Sequence, residues 1–195
     1  MHGLINRAIQ RFVTDTYGAD RWAETTQVAD VGFFEFESML IYEDSVTPAL
    51  LDALSAVLKR PRPEVMEDIG TYLVSHPNVE ALRRLLRFGG DTFVEFLQSL
   101  DDLPDRARLA VSDLNLPRLE LLDHAAGCFV LRCDSPIEGY GHVMMGVLRA
   151  MADDYGVLAL LEHGGESDGI ESISITLVET EFAAGRRFDL GVRAG

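Results

Sequence analysis

Residues 91–106, DTFVEFLQSLDDLPDR, form the stretch on which the interpretation of the whole chain depends. Phe93, Leu97 and Leu100 recur at helical spacing, which predicts a helix whose apolar face packs into the protein interior. Pro104 follows Phe93 by 11 residues and continues the same face, so its side chain is expected to point the same way. A proline inside a helix ends or kinks it at a cost of about 3 kcal/mol, so we expect a break here.

The chain before this stretch is predicted to be helical. A first amphipathic helix begins at Leu4 and stops at Gly18. Two further apolar faces, one around Leu50 and one around Val65, predict two more helices. The first part of the chain is therefore expected to form a helical N-terminal subdomain, to which we assign residues 1–60.

The second half of the chain changes to strand-like patterns. Two strands, at 118–123 and 127–133, are predicted around a turn at 124–126. Apolar residues at helical spacing then predict a helix over 143–151. The remaining predictions are a strand at 156–161, turn signals at Gly164-Gly165 and Asp168-Gly169, and a last strand at 170–178.

Helices followed by strands around one helix are typical of an α+β fold rather than of alternating βαβ units. We therefore predict a helical N-terminal subdomain and a C-terminal antiparallel sheet with a flanking helix. Residues 61–195 would form the α+β subdomain. No internal repeat or low-complexity linker separates the two parts, so they are expected to pack as a single domain over 1–195.

The charge of the chain limits its partners. The 195 residues contain 17 Lys+Arg and 32 Asp+Glu, which gives a net charge of −15. Nucleic-acid binding depends on neutralising phosphates with Lys and Arg, and anionic membranes attract basic segments, so neither partner is expected. A basic surface on another protein would be electrostatically favoured.

Two further features favour a cytoplasmic protein. No signal peptide and no apolar run of membrane-spanning length can be recognised in the sequence. Cys128 and Cys133 lie in one predicted strand at an odd spacing, which places them on opposite faces. We therefore expect two core thiols and no disulfide between them.

Enzyme signatures are missing from the sequence. There is no GxxxxGK[ST] loop, no GxSxG elbow and no HExxH motif, and the five histidines lack the spacing of a zinc site. The acidic cluster at Asp101, Asp102 and Asp105 has arginines beside it and is typical of a solvated helix face. We therefore predict neither catalytic residues nor a metal site.

The order of the motifs resembles the heme nitric oxide/oxygen binding (H-NOX) family. The likeness covers essentially the whole chain and is carried by MHGLINRAI (1–9), DTFVEFLQSLDD (91–102), LNLPRLEL (114–121) and GVLRAMADDYG (146–156). The resemblance implies a helical and an α+β subdomain that enclose heme. It also implies a gas sensor for nitric oxide or oxygen that signals to a cyclase, a kinase or a chemoreceptor.

The proximal histidine, one of two heme-binding features of that family, is replaced here. In LDDLPDR, residues 100–106, the place of the histidine is taken by Pro104. The position keeps the geometry that would point a side chain into the pocket. Proline cannot coordinate iron, because its nitrogen belongs to the backbone.

The second feature of the family is a Tyr-x-Ser-x-Arg motif that binds the heme propionates through charge-assisted hydrogen bonds. The matching stretch here is LRCDSPIEG, residues 131–139. The tyrosine place falls on Leu131 or Cys133, depending on the gap. The arginine place falls on Ser135, Ile137 or Glu138, so no alignment supplies both the phenol and the guanidinium.

The resemblance also implies which residues line the pocket. Matching positions to the family, we assign to the lining Ile5, Ile9, Leu97, Leu100, Pro104, Pro117, Leu119, Leu131, Cys133 and Ser135. The alternative is that these are core residues in a collapsed pocket.

The sequence therefore favours a stand-alone H-NOX-like sensory or regulatory domain that acts in trans on a kinase, cyclase or chemoreceptor. No cofactor is expected, although an apolar small molecule could occupy the pocket. One alternative is a heme sensor with a different axial ligand, with His142 preferred over His76 and His124. The other alternative is a ligand-free interaction module.

Overall fold

A computed structural model describes residues 1–179 and 185 of the chain. In this part the helices are α1 Gly3–Tyr17, α2 Ala19–Ala29, α3 Val46–Leu58, α4 Arg62–Ser75, α5 Glu80–Arg87, α6 Phe93–Gln98, α7 Leu103–Ala110 and α8 Tyr140–Tyr155, with a 3-10 turn at Pro77–Val79. The strands are β1 Arg118–Ala125, β2 Cys128–Asp134, β3 Leu158–Ser167 and β4 Ile170–Glu179. The predicted α+β class is confirmed. None of the described helices is long and apolar enough to cross a membrane.

Two helices escaped prediction because their apolar faces are short. Helix α2 follows Gly18, whose φ of +91° ends α1 as predicted, and Trp22 is its only large buried side chain. Helix α5 spans eight residues and has only Leu86 fully buried. A single turn of apolar residues does not establish helical periodicity in a sequence.

The sheet has the strand order β1-β2-β4-β3, and all neighbouring strands are antiparallel. The first turn was placed too early, because His124 and Ala125 still belong to β1 and Gly127 supplies the positive φ of the turn. The predicted turn at Gly164-Gly165 is wrong. These glycines lie inside β3, where the register with β4 shifts between His163 and Glu166.

The predicted hairpin at Asp168-Gly169 is confirmed, because these residues connect β3 to β4. Their φ angles are +54° and +78°, as a two-residue turn with the native strand twist requires. Strands β3 and β4 are therefore joined by a tight two-residue turn.

Pro104 does not kink a helix interior. Helix α6 ends at Gln98, and α7 begins at Leu103, so Pro104 occupies the second position of a new helix. The N–H groups of the first turn have no partner inside their helix, and the missing N–H of proline costs little there. The break expected at Pro104 is wrong in its position, because α6 already ends at Gln98 and Pro104 lies in the first turn of α7. The cost of about 3 kcal/mol for an interior proline does not apply.

The apolar residues form two cores. The first lies among α1–α4 and includes Phe12, Trp22 and Leu50, and the second lies between α8, α6 and the sheet. Helix α4 contributes Val65 and other residues to the first core although it follows residue 60. The division at residue 60 stays a prediction.

Helices α4 and α8 are in backbone contact. A Cβ atom at Gly70 would lie 2.0 Å from the carbonyl oxygen of Val143, and one at Gly146 would lie 2.0 Å from that of Glu67. Neither position has room for a side chain, so the two glycines permit the close approach of these helices.

Candidate functional site

A cavity of about 320 Å³ lies where the two cores meet. Helices α1, α3, α4, α5, α7 and α8 contribute to its wall, together with the segments before β1 and after β2. The helical wall residues include Ile5, Ile9, Leu51, Met66, Ile69, Leu73, Leu82, Leu85, Leu86, Leu103, Ala107, Tyr140, Val143, Met144 and Val147.

The structure brings some of the sequence-predicted pocket residues together and separates others. Ile5, Ile9, Pro117 and Ser135 lie in the wall of this cavity. The following lie in the second core instead, fully buried and outside the wall: Leu97, Leu100, Leu119, Leu131 and Cys133.

The separation has a physical reason in each element. Leu131 and Cys133 share one face of β2 because strand side chains alternate, and this face packs into the second core. Pro104 is buried, but α7 presents Leu103 and Ala107 to the cavity, which are four residues apart on one helix face. Pro104 therefore lies at the flank of that face rather than in the wall.

The wall is almost entirely neutral and apolar. No charged side chain lines the cavity among the described residues. Thr47 donates its hydroxyl hydrogen to Oδ1 of the buried Asn6 at 2.6 Å, and Ser135 Oγ accepts the N–H of Ile137 at 3.0 Å. These two polar wall residues are thus engaged with their own protein neighbours.

Tyr140 is the polar wall residue that the sequence reasoning missed. Its side chain packs among protein atoms on the first turn of α8, and burial raises the pKa of its phenol above the ordinary value. Within the described residues its hydroxyl has no hydrogen-bond partner, so the wall offers this neutral donor in addition to the exposed amide of Asn115. The spacing of Tyr140, Val143, Met144 and Val147 along one helix face could have revealed it.

His142 lies outside the cavity wall. Its ring stacks on that of His163, with 4.2 Å between ring centres and 9° between the planes. His163 Nε2 lies 2.8 Å from Oε2 of the buried Glu171, while the N–H of Gly165 donates to His163 Nδ1. Burial, followed by the neighbouring His163, lowers the pKa of His142 below the ordinary value, against an opposing effect of Glu171.

The other histidines are also engaged away from the cavity. His2 caps α1, with Nδ1 accepting the N–H of Leu4. The ring of His76 stacks on that of Tyr72, and His124 is exposed on β1. None of the five histidines lies in the described cavity wall, and residues 1–179 and 185 hold no cluster of three metal-binding side chains.

The described wall does not fit heme held by a histidine and by paired propionate contacts. Position 104 carries no imidazole, and burial raises the pKa of the Cys133 thiol to about 12, which disfavours the thiolate that would bind iron. Arg132, the cation nearest the altered motif, lies on the other face of β2 and pairs with Glu120 at 2.9 Å.

The chain is thus an α+β domain with an apolar cavity enclosed by helices and by the segments before β1 and after β2. Comparison with known proteins gives the family. The chain belongs to the Haem-NO-binding family, which matches residues 2–162, and the resemblance seen in the sequence is thereby confirmed.

Relatives and solved structures agree with this assignment. Soluble guanylate cyclase 89Da of Drosophila melanogaster is 24% identical over 155 residues, which are 80% of this chain and 23% of that protein. Soluble guanylate cyclase gcy-32 of Caenorhabditis elegans is 29% identical over 158 residues, which are 78% of this chain and 23% of that protein. The chain thus matches less than a quarter of the length of these relatives.

Two solved H-NOX proteins show the same fold. The protein from S. oneidensis, in the Fe(II)NO ligation state, superposes with a TM-score of 0.75 at 18% sequence identity. The match covers 91% of this chain and 99% of the S. oneidensis chain. The unliganded Fe(II) protein from K. algicida superposes with a TM-score of 0.78 at 18% sequence identity, and the match covers 92% of this chain and 97% of the K. algicida chain.

Proposed function

We propose that this chain is a sensory domain of the Haem-NO-binding family whose cavity binds a neutral, apolar ligand without a histidine–iron bond, and that it acts on a separate signalling protein. The observation that carries the proposal is the 320 Å³ cavity, whose described wall has neither a histidine nor a charged side chain.

The size and chemistry of the cavity support a small-molecule ligand. Ligand pockets in proteins typically measure about 300–1,000 Å³ and are lined by apolar side chains with a few polar groups. An ionised ligand group would lose its hydration in this wall without meeting a charged side chain, and the ammonium group of Met1 is already paired with Asp44. A neutral molecule with one hydrogen-bond acceptor would instead pair with the Tyr140 hydroxyl.

Action in trans is supported by the family and by the charge of the chain. Relatives of this chain are soluble guanylate cyclases, which supports a role in signalling. We propose that the chain has no catalytic activity of its own and signals to a kinase, cyclase or chemoreceptor. The net charge of −15 favours a basic docking surface on that partner.

Membership of the family favours a second candidate function, a heme sensor with an axial ligand other than the family's proximal histidine. The described wall residues whose side-chain atoms can bind heme iron are Met1, Met66, Met144 and Tyr140. His142 fits this role less well, because its ring stacks on His163 outside the wall.

An absorption spectrum of the full chain, as purified and after addition of hemin, tests the proposal. We expect no sharp Soret band at one heme per chain. Pro104→His at the family's ligand position and Leu103→His in the wall are gain-of-function controls, and a band in either shows that the fold can still accept heme. A stoichiometric Soret band in the unaltered chain that shifts with nitric oxide would overturn the proposal.

A neutral apolar dye such as Nile red distinguishes a ligand sensor from a ligand-free module. Saturable binding at one dye per chain supports the sensor. A chain that binds no dye and copurifies with no small molecule in native mass spectrometry has a closed core, and the ligand proposal then fails.

A further inference from the structure

The connection between α2 and α3 exposes a group of large apolar side chains. We call residues 31–42 the apolar segment. Phe34 is 54% exposed, Met39 69% and Ile41 64%, and Phe33 and Leu40 are also exposed. Single exposed apolar residues are common on protein surfaces, but a group of them marks an interaction site.

The first half of the apolar segment is held firmly to the helices beneath it. Phe36 is fully buried in the first core, and its backbone N–H donates to Gln10 Oε1 at 3.1 Å. Its carbonyl oxygen accepts from Arg7 at 2.9 Å, and the carbonyl of Phe34 accepts from the Trp22 indole at 2.7 Å. The exposed rings are therefore carried by a fixed backbone.

The second half is tied to the start of α1. The N–H of Gly3 donates to the carbonyl of Leu40 at 2.7 Å, and that of Tyr42 donates to the carbonyl of Met1 at 2.9 Å. A Cβ atom at Gly3 would lie 2.1 Å from the carbonyl oxygen of Glu37, so the contact has no room for a side chain. A surface fixed before binding loses less conformational entropy when a partner docks.

The charge around the apolar segment is negative. No Lys or Arg occurs between Arg21 and Lys59, whereas this part of the chain contains seven acidic residues. Glu35, Glu37 and Glu43 are exposed, and the described residues give them no ion pair. The guanidinium of Arg7 reaches the segment and donates to the backbone carbonyl of Phe36. Its single positive charge is smaller than the combined negative charge of the three exposed glutamates.

We propose that the apolar segment is the docking surface for a basic amphipathic helix of the signalling partner. Such a helix would place its apolar face on the exposed rings and its Lys or Arg residues against the acidic rim. The acidic rim would repel an anionic membrane, and two copies of this chain meeting at the same surface would bring like charges together. The proposal rests on action in trans, which is part of the proposed function.

Fluorescence anisotropy with the full chain tests the docking proposal. The probe is a labelled amphipathic peptide of about 18 leucine and lysine residues, long enough to form a helix. The matched control is the same peptide with glutamate at every lysine. We expect the lysine peptide to bind, with an affinity that falls as the salt concentration increases. The glutamate peptide should not bind. Equal binding of both peptides would overturn the proposal.

Variants locate the binding surface. Phe34→Ser combined with Met39→Ser should weaken lysine-peptide binding by about tenfold or more. Phe88→Ser combined with Leu109→Ser is the matched control, because both residues are exposed outside the apolar segment, Leu109 by 90%. Unchanged binding in the first pair, or an equal loss in the control pair, would contradict docking at this surface.

Charge variants test the acidic rim. Glu35→Gln combined with Glu37→Gln should lower the affinity and flatten its salt dependence. Asp123→Asn combined with Glu166→Gln removes the same charge from exposed positions on the sheet and should do neither. If both pairs act alike, the attraction comes from the net charge of the chain, and the local proposal fails.

Two outcomes separate this proposal from the others. If Nile red still binds in the cavity but the lysine peptide does not bind, the docking proposal is wrong and the cavity proposal is unaffected. A dimer in sedimentation equilibrium that Phe34→Ser dissociates would assign the surface to a second copy of this chain and overturn the partner helix.

Discussion

The indole Nε1–H of Trp22 donates to the backbone carbonyl of Phe34 at 2.7 Å. Trp22 is buried in the first core, whereas the side chain of Phe34 points into solvent. One hydrogen bond from a buried ring thus holds the backbone that displays an exposed ring. Core packing in α2 and the shape of the apolar segment are therefore coupled.

Replacing Trp22 by Phe should test this coupling. The variant loses the donor and leaves the Phe34 carbonyl without it, so we expect the free energy of unfolding to fall by about 1–3 kcal/mol. Phe34→Ser keeps the carbonyl and alters only an exposed side chain, so its effect should stay within about 0.5 kcal/mol. Urea unfolding followed by circular dichroism measures the free energy of unfolding of both variants. Similar losses in the two variants would show that the Trp22–Phe34 hydrogen bond does not stabilise the fold.

Filling the cavity from α8 should separate ligand binding from folding. Val147 lies in the wall, and Val147→Phe projects a larger side chain into the open space. We expect Nile red affinity to fall at least about tenfold while the free energy of unfolding changes by less than about 1.5 kcal/mol.

The neighbouring Leu148 provides the control for this variant. Leu148 is fully buried in the second core away from the cavity, so Leu148→Phe should overpack and destabilise the protein by about 1–3 kcal/mol. Unchanged dye affinity in a folded Val147→Phe protein would place the dye elsewhere.

The Tyr140 hydroxyl should recognise a hydrogen-bond acceptor. Tyr140→Phe removes the donor and keeps the ring, so the affinity for a neutral naphthalene ketone dye should fall by about 2- to 12-fold. Anthracene has a similar apolar body and no acceptor, and its affinity should not change. Tyr17→Phe, whose hydroxyl faces Arg60 outside the wall, is the control. Equal losses for both probes would indicate altered packing instead.

The stacked pair His142 and His163 should make the protein less stable in mild acid. Because the pKa of His142 is lowered in the folded state, the unfolded chain takes up this proton at a higher pH. Its contribution is fully present above the ordinary histidine pKa of about 6.5 and is lost as the pH falls from there towards the lower folded pKa.

His142→Phe keeps an aromatic ring against His163 but cannot take up a proton. We expect a smaller loss of stability between about pH 7.5 and pH 5.5 than in the unaltered protein, measured as the urea midpoint. The matched control is His124→Phe, which replaces an exposed histidine outside the stacked pair, and an equal effect of the two variants would contradict the prediction. Identical pH profiles for the unaltered and His142→Phe proteins would rule out this origin.

The sequence predicted the fold well where periodicity is long. The 16-residue helix α8 and the alternating strand β2 were found because their buried faces repeat several times. Helix α5 was missed because it is short, and Gly164-Gly165 was taken as a turn because glycine marks both turns and bulges.

The site was harder to predict than the fold. Helical spacing and family likeness placed Ile5 and Ile9, which line the cavity. Alternation grouped Leu131 with Cys133, but it cannot say whether their common face meets the cavity or the second core. Leu97 was assigned to the wall by family likeness, whereas it is buried in the second core on α6, and the wall is instead reached by the separate helix α7.

The glycine contact between α4 and α8 gives the cavity walls unequal stiffness. Gly70 and Gly146 bring these two backbones so close that neither helix can move towards the other without a clash. We therefore expect a ligand larger than the cavity to displace other wall helices, such as α1 and α7, more readily. Because Gly3 binds α1 to the apolar segment, we expect displacement of α1 to move that surface as well.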